Sequence, residues 1–130
     1  MLAVGRVLEA KRHVRENTRV SPAVVIALNT CPAHVRRVDA ADLQGAKRAV
    51  LAELRVLLPT LNLRGARVVQ VRRAHAQGDV QPAHFCPAVT RSVLVALSLP
   101  GERATPSLTG SPAFYVARTR SHRVIWFEPH

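Results

Sequence analysis

A chain of 130 residues with nineteen basic and eight acidic side chains, a net charge of +11, has the size of one ordinary domain and a surface suited to a negative partner. Hydrophobic residues make up 48% of it and aromatic ones only 4%, which excludes a disordered composition and leaves the core to Val, Leu and Ala. No apolar run approaches the roughly 20 residues that cross a bilayer, and residues 1–17 lack a secretory apolar stretch, so the chain reads as soluble, without a membrane partner, and cytoplasmic, with an organelle left open.

The first element is an amphipathic helix over residues 1–18, with Val4, Val7, Leu8 and Val14 at helical spacing. The short apolar run Ala23 to Leu28, bounded by Pro22 and Asn29, predicts a buried strand in the middle of a sheet. Asp39 is a plausible N-cap for a second helix running to Leu58, where Pro59 stops it. Its stripe is Leu43, Ala46, Val50, Leu54 and Leu57, and Asp42 adds negative charge in the first turn. Gly45 weakens that helix unless close packing needs the missing side chain. From Ala66 onward the texture is β, with strands predicted over 66–76, 91–99, 113–120 and 123–128, the last two joined across Ser121 and His122. Residues 100–112, with three prolines and two glycines, are expected to be a mobile loop. The order predicts a single α+β domain over 1–130, in which one or two helices pack on one face of a mostly antiparallel four- to five-stranded sheet.

Seventeen of the nineteen basic residues are arginine. A GC-rich codon bias accounts for arginine over lysine but not for the shortage of acids. Arginine grips phosphate with a planar fork and stacks on bases. Residues 54–130 are the more basic part, +7 against +4 for residues 1–53. There Phe114, Tyr115, Trp126 and Phe127 interleave with Arg118, Arg120, His122 and Arg123, a pattern that single-stranded nucleic acid uses but that core packing of the rings also explains. Arg36 and Arg37 precede the capped helix. Arg64 and Arg67 flank the first strand of the β half, which reads as a charged edge with Arg72 and Arg73 on opposite faces.

Cys31, His34, His84 and Cys86 form a near-repeat whose residue types would suit structural zinc, with His75 or Asp79 as a substitute ligand. Their spacings are unlike those of zinc knuckles, and reduced, buried thiols with no cofactor are the simpler expectation. No phosphate-cradling loop, nucleophile elbow or deaminase motif is present.

The function expected is therefore a non-enzymatic RNA-binding or ribonucleoprotein component. Arg118, Arg120 and Arg123 contact phosphate, with Arg36, Arg37, Arg64 and Arg67 as outlying contacts. One alternative is a small metal-independent ribonuclease of toxin type, with His122 as acid and base beside Arg120, Arg123 and Tyr115. Another is a structural or assembly protein whose arginines meet an acidic protein surface.

Overall fold

The computed structural model describes residues 23–100 and 112–129. The helix expected over 1–18 and the interior of the 100–112 loop lie outside these residues.

Five strands form one mixed, mostly antiparallel sheet: β1 (Ala23–Ile26), β2 (Arg67–Arg73), β3 (Ser92–Ser98), β4 (Ala113–Arg118) and β5 (His122–Phe127), in the order β1-β5-β4-β3-β2. Among the described residues only the β1–β5 pairing is parallel. The fold is α+β, as the sequence predicts. β1 corrects the expectation of a central strand, because among the described residues it pairs with β5 alone. Its apolar run is explained by covering on its faces: Val24 and Ile26 pack on one cluster, Val25 and Ala27 on the other. β2 is the opposite edge and carries the expected charge. A bulge between Val68 and Gln70 breaks strict alternation, so Val68 and Val71 both face the core and Val69 is left exposed.

The principal helix, α1 (Ala40–Ala52), starts where expected. Asp39 is extended at φ −118°, and its carboxylate accepts from the Asp42 N–H at 3.1 Å while Asp42 accepts from the Asp39 N–H at 2.9 Å. Two donors orphaned at the helix start are thereby satisfied reciprocally. The predicted continuous helix to Leu58 is interrupted at Glu53, after which a single turn, α2 (Leu54–Leu57), completes the stripe. Ala46, Val50, Leu57 and Leu58 pack on Val93, Val95, Leu97, Phe114, Val116 and Ile125. The intervening strand positions Leu94, Tyr115, Ala117, Val124 and Trp126 build a second cluster. Cys86 and Val89 join it from α3 (Val80–Phe85) and the 3₁₀ turn Pro87–Arg91, a stretch for which the sequence predicts no element.

Candidate functional site

The sheet register gathers basic residues at one end of the molecule. Arg73 pairs with Val93, Ser92 with Ala117 and Arg118 with Arg123, so the end of β2, the start of β3, the end of β4 and the start of β5 lie side by side. The segment 35–38 runs past this end. Its Arg36 N–H donates to the Arg118 carbonyl at 2.8 Å, Arg91 donates to the Val35 carbonyl at 3.2 Å, and Arg73 donates to the Val38 carbonyl at 2.7 Å. Arg36, Arg37, Arg73, Arg91, Arg118, Arg120 and Arg123 thus share one end with two carboxylates, Asp39 and Asp42.

Asp42 is the hub. Its Oδ1 accepts from Arg118 Nε at 2.6 Å and from Arg123 Nη2 at 3.2 Å, and Arg118 Nη2 lies 3.5 Å from Asp39. Directly opposed like charges on neighbouring strands repel, and the carboxylate between them offsets this. Burial pushes the Asp42 carboxyl up, but the Arg118 bond, the Asp39 N–H, the Arg118 charge and the Arg123 bond outweigh it and hold it below the usual carboxylate range. Arg123 reaches the hub because residue 45 is glycine: a Cβ there would overlap its guanidinium. The close packing that would justify Gly45 is present.

These contacts engage two of the arginines expected to meet phosphate. Arg123 is buried and Arg118 half-buried, both engaged by Asp42. Arg36, Arg37, Arg73, Arg91 and Arg120 are the exposed members of the cluster, and none of the five has an ion pair among the described residues. The depression between Arg36, Arg91, Arg118 and Arg123, floored by Val93 and Val116, has a volume of ≈ 10 Å³. That is room for about one water, so an anion would meet these arginines on the surface rather than in a pocket. Arg64 and Arg67 are exposed at the far end of β2, six residues from Arg73, or roughly 20 Å at about 3.3 Å per residue. They do not belong to the cluster.

The four aromatic residues of β4 and β5 are core, while Phe85 of α3 is 43% exposed. Phe114 and Trp126 are fully buried, and Tyr115 and Phe127 nearly so, which removes them as a base-stacking platform. Tyr115 Oη donates to Asp79 Oδ1 at 2.5 Å, and Arg72 grips the same carboxylate with Nη2 to Oδ1 at 2.7 Å and Nη1 to Oδ2 at 3.0 Å, while the His75 N–H adds 2.6 Å. Burial pushes the Asp79 carboxyl up, but these donors outweigh it and hold it down at about 2; burial and Asp79 together push the Tyr115 hydroxyl up. The group His122, Arg120, Arg123 and Tyr115 is therefore not assembled: Tyr115 is in the second cluster and Arg123 is turned to Asp42. His122 Nδ1 faces the Thr119 and Ser121 hydroxyls, each at 3.1 Å.

Cys31 and Cys86 are joined in a disulfide with Cα atoms 5.4 Å apart, which corrects the expectation of reduced thiols. Asn29 and His34, both with left-handed φ near 60°, bracket the segment in which Cys31 meets the residue after α3. Both sulfurs of the zinc set Cys31, His34, His84 and Cys86 are engaged by this bond.

No family model, curated protein or solved structure matches this chain. Arg91, Asp42 and Gly45 are the site residues that sequence reasoning places least well. Arg91 is one charge at a strand start, and only the register of β3 against β4 brings it beside Arg118.

Proposed function

We propose that this protein binds RNA or another nucleic acid through Arg36, Arg37, Arg91 and Arg120, as a binding component rather than a catalyst. The observation that carries the reading is the concentration of seven arginines against two carboxylates at one end of the sheet, with five exposed arginines grouped around two that are neutralised. Guanidinium groups held on a rigid scaffold take phosphate oxygens in pairs and release condensed counterions.

A titration of labelled single-stranded RNA at several salt concentrations tests it. One phosphate each for Arg36, Arg37, Arg91 and Arg120 gives a slope of log K against log salt of roughly −3, at about 0.7 per contact for single strands. The Arg36→Gln/Arg37→Gln variant flattens the slope by roughly 1.4 on the same scale, while Arg64→Gln/Arg67→Gln leaves it unchanged. Salt-independent binding, or equal effects of the two double variants, overturns the reading.

A further inference from the structure

We infer that the Cys31–Cys86 disulfide controls the nucleic-acid surface, so that opening it releases the segment carrying Arg36 and Arg37 and weakens binding. The inference rests on the function proposed above and concerns how the same surface is regulated.

The segment from Ala27 to Val38 is tied at both ends by backbone and side-chain bonds. At its start the Ala27 and Asn29 N–H groups donate to the Ile125 and Trp126 carbonyls; at its end Arg36, Arg91 and Arg73 make the three bonds already described. Among the described residues, the disulfide is the tie between the stretch Asn29 to Val35 and the rest of the fold, linking residues 55 apart in the chain. That middle stretch contains the two left-handed residues Asn29 and His34, a conformation unfavourable for a non-glycine residue that lasts only where the surroundings enforce it. Cys31 is exposed and Cys86 buried, so an incoming thiol has one accessible sulfur.

A small-molecule thiolate attacks Cys31 Sγ, forming a mixed disulfide and expelling Cys86 as thiolate, which takes a proton from water. A second thiolate attacks the added sulfur, leaving Cys31 reduced and the small molecule oxidised to its own disulfide. The bond is kept in oxidising surroundings and lost in reducing ones. With the middle freed, the left-handed residues relax and Arg36 and Arg37 lose their fixed position beside Arg91 and Arg120. A surface that keeps its binding shape about one-tenth of the time binds roughly tenfold more weakly.

The test compares oxidised protein with protein reduced by dithiothreitol and alkylated, reading two quantities. Hydrogen exchange at the Arg36 and Asn29 amides needs no ligand: both should exchange faster on reduction while amides of β3–β5 stay protected. Affinity for a single-stranded RNA should fall roughly tenfold, with the salt slope flattened to that of the Arg36→Gln/Arg37→Gln variant, in which reduction has little further effect. Unchanged exchange at Arg36 overturns the inference, as does loss of protection throughout the sheet, which would make the bond a staple of the whole fold. If the oxidised protein binds no RNA while Arg36 still loses protection on reduction, the function proposed above fails and the release of the segment stands.

Discussion

Replacing Gly45 by alanine probes the Asp42 hub with a single methyl group. In an isolated helix the change stabilises by up to about 1 kcal/mol, because glycine loses more backbone freedom on folding. In this fold the added Cβ would overlap the guanidinium carbon and Nη2 of Arg123. Arg123 is 7% exposed, and its Nη2 donates to Asp42 Oδ1 at 3.2 Å. It must leave the carboxylate, or α1 must lift from the sheet and open the contact of Ala46 and Val50 with Val93 and Val116. Losing a hydrogen bond to a charged group costs about 1.5–3 kcal/mol. Set against the helical gain, Gly45→Ala should destabilise by about 1–2 kcal/mol, a fall in Tm of several degrees. Urea unfolding followed by the fluorescence of the buried Trp126, the single tryptophan of the chain, reads the change directly. The decisive comparison is an Arg123→Ala background, in which the obstacle is gone and alanine at 45 should stabilise. A sign reversal between backgrounds is a coupling that only contact between the two sites produces. Gly45→Ala raising stability in the unmodified protein would refute the packing argument.

Two further predictions concern the Asp79 network. The Asp79 carboxyl is held down at about 2 against an ordinary 3.8, so its contribution is complete above pH 4 and is lost as pH falls towards 2, about 2 kcal/mol in all. Urea unfolding at pH 5 and pH 2.5 should therefore show an acid loss that Asp79→Asn reduces; parallel losses in both proteins would contradict the assignment. Tyr115→Phe removes the hydroxyl that donates to Asp79 at 2.5 Å and should cost about 1.5–3 kcal/mol at neutral pH. Because the carboxylate then loses one donor, its folded-state pKa rises towards the ordinary value, and the acid loss of that variant should be smaller and complete at higher pH.

The elements whose signals are local were legible in the sequence. Asp39 with Asp42 marks the start of α1 whatever lies above it, and the alternation of Val93, Val95 and Leu97 with Leu94 and Ala96 gives β3 its two faces. Position in the sheet was less legible: the run Ala23 to Leu28 reads as a central strand, yet an edge strand covered on both faces needs the same apolar residues. The bulge at Val68 and Gln70 leaves no mark in a valine-rich segment, so strict alternation fails halfway along β2. α3 is six residues long with a proline inside it, too short for periodicity to reveal. The disulfide needed tertiary knowledge: two cysteines 55 residues apart give no pairing signal until the segment after β1 is known to meet the end of α3.

The arginines carry the most general lesson, because formal charge and available charge differ in this fold. Arg118 and Arg120 are two residues apart and read alike, but Arg118 lies within reach of the first turn of α1 while Arg120 lies beyond the strand, in the turn. Arg72 and Arg73 diverge for the reason alternation predicts: one grips Asp79 and the other the Val38 carbonyl. A guanidinium has five donors in a fixed plane, so one side chain can brace a carboxylate or a carbonyl and still present edges outward. Asp42 and Asp79 are both buried and both face arginines, so two of the few acidic groups are committed inside the fold. Their scarcity at the surface near Arg36, Arg37, Arg91 and Arg120 is thus greater than the composition implies. Asp42, which shares the depression with Arg36 and Arg91, is already paired with Arg118 and Arg123 inside the fold, so formal charge there understates the cations left at the surface.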